Sequence, residues 1–306
     1  MSEQLWVTSS LGGYAAAPIL SKEVRVAAQP LMRFMQFCTT KEDFGKGKGD
    51  TILFDKIGNV ATGGGTLVET TTMPSTYFTM AQGTLTLTEY GNSIPVTGKL
   101  LALADIDMKT PVIKALKNDA AKVMETAVEA EMNKCKIRYV GSTASTGNFT
   151  TNGTATESCS VVLDAYHLRT IIDYLMGTLY APPADGEFYF GILTVAAARS
   201  LYESLEGVWQ YTQYPVNGEM GKNYKCRLVR DAYAMDNSIG VSNVSGEAYF
   251  FGDEAVAEGV AIPIEIRTEP IKDFGRSNAF AWYAIEGFEL IWVGDPDNRI
   301  CKWDSA

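Results

Sequence analysis

Histidine is nearly missing from this chain of 306 residues, which has only His167. That removes multi-histidine metal sites and leaves one candidate base for any nucleophile. No G-x-S-x-G elbow exists to partner it, and its place beside Leu168 in a predicted helix reads as a packed or interface residue. Cysteine is also sparse. Cys38, Cys135, Cys159, Cys226 and Cys301 are odd in number, scattered and never spaced as C-x-x-C, which argues against a disulfide framework or a zinc knuckle. No Lys or Arg precedes Lys22, and no apolar core with a small-residue cleavage site follows, so a secretory signal is not expected. No window supplies the roughly 20 apolar residues of a membrane span. Basic charge is in deficit, 26 Lys and Arg against 36 Asp and Glu, for a net charge of -10. That balance disfavours tight, nonspecific phosphate binding. The absences fit a chain that folds in a reducing cytoplasm.

The motifs that come nearest to chemistry fail on spacing. Between Gly91 and Gly98-Lys99 stand six residues rather than four, and Leu100 replaces the Ser or Thr of a phosphate loop. The run from Gly45 to Gly49, with Lys46 and Lys48, precedes a predicted strand and not a helix, so it reads as a hinge. Asp105 and Asp107 approach a helix start, where acids favour the helix dipole. Asp295 and Asp297 flank a turn proline. Neither pair requires a metal.

What is present is a 46% hydrophobic chain with 20% charge, enough for one large core or two modest ones. Residues 1–48 carry apolar side chains without a sustained period, interrupted by Pro18 and Pro30. They read as an arm that needs a surface to lie on, with a short helical cap an equal reading for 22–38. Residues 51–54 have strand character, and 84–90 alternate strictly. Between them lies a long tip, 61–74, with Gly63, Gly64, Gly65 and three consecutive threonines after Glu69. An isolated two-stranded hairpin is marginal in water, so something outside the arm must hold it.

Thr110 and Pro111 read as a cap followed by proline at the first helical position. Val112, Leu116, Ala120, Val123, Ala127 and Ala130 then form a stripe at steps of three and four. A helix over 111–138 would be about 40 Å long, a spine rather than a small packing element. Residues 141–158 read as a polar loop and 161–180 as a second amphipathic helix. Beyond them, 188–193, 225–229 and 248–251 read as strands, 195–205 as a helix and 253–258 as a short helix. Residues 278–303 are dense in β-formers, with a turn at 294–298 and a short final strand. The class expected is α+β.

Three segments carry a resemblance: Gly64 to Pro74 (GGTLVETTTMP), Leu87 to Asn92 (LTEYGN), and Asp273 to Asn278 (DFGRSN) with Phe280 to Tyr283 (FAWY). Together with the order of parts, they resemble the major capsid proteins of tailed double-stranded DNA phages, of the HK97-like fold and the N-four gp-fifty-six type. The resemblance implies an N-arm (1–48), an E-loop β-arm (49–99), a P-domain with spine helix (100–184), an A-domain (185–264) and C-terminal P-domain strands (265–306).

It further implies a structural protein, not an enzyme, that self-assembles as pentamers and hexamers into the icosahedral head of a virion built in a bacterial cytoplasm. DNA would be enclosed and not specifically bound. Separate scaffolding, portal and decoration proteins are possible partners, and no membrane, cofactor, metal or catalytic residue is expected. Gly63, Gly64, Gly65, Glu69, Met73 and Arg276 are the expected intersubunit contacts. The alternatives are an encapsulin-like compartment shell and, further off, a cytoplasmic α+β enzyme with an unseen site.

Overall fold

The computed structural model describes residues 33–42, 49–58, 60, 63–97, 109–205, 218–269, 277–293 and 298–306. The first 32 residues of the expected arm, the predicted turn at 294–297, Asp105 and Asp107 lie outside them.

A seven-stranded sheet forms one centre of the fold. Its strands are β5 (Ile137–Thr143), β6 (Thr146–Thr150), β7 (Tyr189–Leu193), β8 (Glu219–Asn223), β9 (Cys226–Arg230), β10 (Ala248–Phe251) and β13 (Ile300–Trp303), in the order β6-β5-β13-β10-β7-β9-β8. Strands β7, β10 and β13 are buried at every residue. Such strands read as continuous apolar runs because both faces are covered. Tyr189, Leu193, Ala248, Phe250, Cys301 and Trp303 face a core shared with helix α2 (Ala165–Gly177), helix α3 (Val195–Leu205) packing beside it. Phe190, Ile192, Tyr249, Phe251 and Ile300 face the opposite core, shared with helix α1 (Lys109–Met132).

Across α1 lies a four-stranded sheet of β1 (Thr39–Glu42), β11 (Val256–Thr268), β12 (Ser277–Leu290) and β4 (Thr88–Thr97), in the order β1-β11-β12-β4. The spine helix is thus held between two sheets. A third sheet is the two-stranded ribbon of β2 (Thr51–Ile57) and β3 (Met80–Thr86).

Several expectations are corrected. The spine helix begins at Lys109, so Thr110 lies inside it and does not cap it, and it ends at Met132, not near 138. Residues 137–143 leave it as β5, because Ile137, Tyr139 and Val140 bury into the sheet. The buried stripe of α1 is Leu116, Ala120, Met124, Val128 and Met132; Val112, Val123 and Ala127 are half-buried, and Ala130 is exposed. The supposed loop at 141–158 contains the hairpin of β5 and β6. Residues 84–90 are not one strand: the ladder breaks at Leu87, the first half pairing with β2 and the second with β12. Residues 253–258 form a turn and the start of β11 in place of a helix. The last strand, β13, joins the seven-stranded sheet between β5 and β10, and its Ile300 packs in the core shared with α1. The second helix runs over Ala165–Gly177, shorter than 161–180, because the Asp164 carboxylate accepts the N–H groups of Tyr166 and His167 at 3.0 Å and sets its start.

Candidate assembly surface

The β2-β3 ribbon is anchored at its root. Ile52, Leu85 and Leu87 bury against Ala257, with Phe54, Ala261, Ile285 and Ile291 packed around them. The root seats deeply because Gly259 and Gly287 offer no side chain. A Cβ on Gly259 would come within 2.7 Å of Ile52 Cδ1, and one on Gly287 within 2.4 Å of the Thr86 carbonyl oxygen. Further out, Phe54 lies over its partner Gly83, where a Cβ would stand 2.3 Å from the ring. The Gln82 side-chain amide donates to Asp55 at 2.9 Å.

Beyond the root the ribbon has no core. Leu53, Ile57, Val60, Leu67, Val68, Met73, Tyr77, Phe78 and Met80 are all exposed, Tyr77 by 88%. These nine are half of the eighteen large exposed hydrophobics among the described residues. Scattered surface apolar groups are ordinary, but this many gathered on one arm make it the candidate binding surface. The tip holds a tight turn in which the Thr71 N–H donates to the Val68 carbonyl at 2.9 Å, with Glu69 inside it.

Gly63, Gly64, Gly65, Glu69 and Met73 therefore all lie exposed in the tip, and a Cβ on Gly64 or Gly65 would meet nothing within 4 Å. Arg276 lies outside the described residues. The sequence reading passed over the apolar members of the arm, Leu53, Ile57, Leu67, Val68, Tyr77 and Phe78. Their signal was available: large hydrophobics in a stretch that needs a surface outside itself to hold it.

The segment before the ribbon packs on the body of the chain. Phe34 is fully buried, and Phe37 packs its ring on Phe190 and Phe251 at 4.8 and 5.3 Å. Strand β1 adds in parallel to β11. The segment is tethered by Glu125 of α1, whose carboxylate accepts the backbone N–H groups of Arg33 and, at 2.5 Å, Phe34. Burial raises the Glu125 pKa to about 7, against the lowering effect of those hydrogen bonds. On β12, burial raises Glu286 to about 7 as well, helped by nearby Glu258. The sequence placed Glu125 beside the apolar stripe, with no sign that it would turn inward.

The remaining candidates are structural. His167 is fully buried, with Nδ1 3.0 Å from the Tyr139 hydroxyl, and burial lowers its pKa. The five cysteines are free thiols, four of them buried. Where α1 meets the seven-stranded sheet, the Lys302 ammonium lies 2.5 Å from Glu247 and 3.6 Å from Asp304, and Arg138 lies 2.8 Å from Asp304. The Tyr249 hydroxyl donates to Glu129 at 2.7 Å, bringing the helix into the same network. No group of three potential metal ligands occurs among the described residues, and no helix there is long and apolar enough to cross a membrane.

The sequence matches no protein-family model and no curated protein. Its fold, however, is shared with solved shells. The capsid of Ralstonia phage GP4 aligns at a TM-score of 0.69 with 15% identity, over 100% of this chain and 99% of that one. The head structure of Helicobacter pylori bacteriophage KHP40 aligns at 0.64 with 11% identity, over 97% and 98%. The capsid asymmetric unit of cyanophage Pam1 aligns at 0.65 with 12% identity, over 97% and 99%. The ribbon, spine helix and two sheets are thus one fold from end to end, the α+β fold of HK97-like phage capsid subunits.

Proposed function

We propose that the chain is the repeated subunit of an icosahedral phage head, assembling through pentamers and hexamers around double-stranded DNA. The observation that carries this reading is the ribbon: nine large hydrophobics on an arm with no core of its own. A contact of modest area, repeated by symmetry over many copies, suffices to hold a shell. The solved proteins of like fold are described as capsids and a phage head, which supports the same assignment. In this reading the protein resides in the virion.

Within that assignment, 49–99 serves as the E-loop laid on a neighbouring subunit, 1–48 as the N-arm, 185–264 as the A-domain towards the capsomer centre, and 100–184 with 265–306 as the P-domain. The N-four gp-fifty-six type is the finer family proposed, on the three segments that resemble it. Scaffolding, portal and decoration proteins would be separate chains. Glu69 and Arg276 form the proposed charge contact between subunits.

The test is electron microscopy with sedimentation of the chain expressed alone in bacteria. Closed particles or capsomer rings are expected, and charge reversal at Glu69 or at Arg276 lowers their yield while the subunit stays folded. A small oligomer that neither scaffold nor crowding agent converts to particles overturns the assignment. Normal yields from both reversals overturn the contact alone.

A further inference from the structure

Helix α1 sorts its charges by sign. Asp119 turns inward, its carboxylate accepting from the Asn92 amide at 2.9 Å and the Trp282 indole at 2.8 Å. Glu125 faces the backbone of Arg33 and Phe34, Glu129 the Tyr249 hydroxyl, and Glu131 the Lys134 ammonium. All four acids are buried or half-buried, whereas every exposed charged side chain on α1 is a lysine: Lys109, Lys114 and Lys117. Lys122 continues the series at half exposure, its ammonium 5.5 Å from the Tyr233 ring. Neither Lys114 nor Lys117 has an ion-pair partner among the described residues. In a chain of net charge -10, the exposed charged side chains in the first half of this helix are all positive. The positive end of the helix dipole lies at the same end.

We infer that this face of α1 is a contact surface for the phosphate backbone of duplex DNA. Lys109 to Lys117 spans about 12 Å of helix. A duplex presents a negative charge about every 1.7 Å, so such a span opposes several phosphates at once. Two or three contacts per subunit are weak singly and add over a shell. They carry no base readout, and they leave the acidic remainder of the surface repulsive to DNA, so the filament is held at this face and not gripped elsewhere. The inference rests on the proposed function for the source of the DNA, but its test does not.

The test measures binding of a short labelled duplex to the full-length chain across a salt series. Affinity falling with salt is expected, and Lys114→Gln with Lys117→Gln lowers the slope of log affinity against log salt by about two. The paired arginine variants restore it, and glutamines at Lys222 and Lys225 leave it unchanged. Thermal unfolding of each variant confirms that it is folded. A slope that survives the double glutamine change, or that falls equally in the control pair, overturns the inference. So does polyglutamate bound as tightly as DNA, which would make the partner an acidic polypeptide. Particle formation is scored in parallel: glutamine variants that form normal shells and bind less DNA support both readings, whereas a chain that forms no shell and still binds DNA through these lysines retains only this one.

Discussion

Gly259 on β11 stands opposite Gly287 on β12 in the sheet register, and the pair makes the floor on which Ile52 and Leu85 rest. The two glycines differ in what they face. A methyl on Gly259 meets the ends of flexible side chains, whereas one on Gly287 meets the backbone of Thr86. Gly287→Ala is therefore expected to destabilise the chain by about 1–3 kcal/mol as overpacking and to tilt the ribbon. Gly259→Ala should cost less. Denaturant midpoints order the two, and particle yield should follow the same order.

The exposed arm residues should behave oppositely to the core. Val68→Ser, Tyr77→Ser and Phe78→Ser remove groups that touch little within the subunit. Subunit stability should change by no more than about 0.5 kcal/mol. Sedimentation should nevertheless show the loss of particles. A large fall in subunit stability would mean that the arm folds back on its own body.

Glu125 and Glu286 should make stability depend on pH. Each holds its proton in the folded chain to about pH 7, against an ordinary value of 4.5. Between those values the folded state binds more protons than the unfolded one, so stability falls as pH rises from about 4.5 to about 7. Glu125→Gln keeps a carbonyl for the N–H groups of Arg33 and Phe34 and should flatten part of that fall. Urea unfolding at pH 5, 6 and 7 checks the slope for wild type and variant.

Lys302 is a buried cation at the junction of α1 and the seven-stranded sheet, with only 3% of its side chain exposed. Lys302→Met leaves Glu247 and part of Asp304 uncompensated, at an expected cost of about 3–5 kcal/mol. Lys134→Ala breaks a pair between an exposed ammonium and the half-buried Glu131, and should cost under about 1 kcal/mol. Thermal unfolding of the two variants separates these cases.

The parts of the fold legible in the sequence were those with one dominant local signal. Tyr189–Leu193, Val195–Leu205 and Ala248–Phe251 matched closely because continuous apolar runs or a helical stripe define them. Strand β8 was missed because three of its five residues are polar and its hairpin turn uses Tyr224 and Lys225 at φ 42 and 55, without the glycine or asparagine that marks such turns. The Asp173 carboxylate, 2.6 Å from the Tyr224 hydroxyl, helps to hold that turn from another element. The break at Leu87 was hidden for a related reason. Alternation reports which face a residue takes, and both halves of 84–90 alternate, but it does not report which sheet they join. The arm tip was legible as an unsupported segment, yet its apolar residues were outweighed by glycine and threonine in the reading of composition.

Strand order has a consequence for biosynthesis. In the seven-stranded sheet, β5 and β10 touch only through β13, which is made after every other strand of that sheet. While the ribosome is still short of Ile300, the nascent chain can hold β6-β5 and β10-β7-β9-β8 as two separate half-sheets with raw inner edges. The splice that unites them comes late, so a subunit becomes a finished building block only after its arm has long since emerged. Timing of that splice, and not the making of the arm, would then set when one subunit can capture the next.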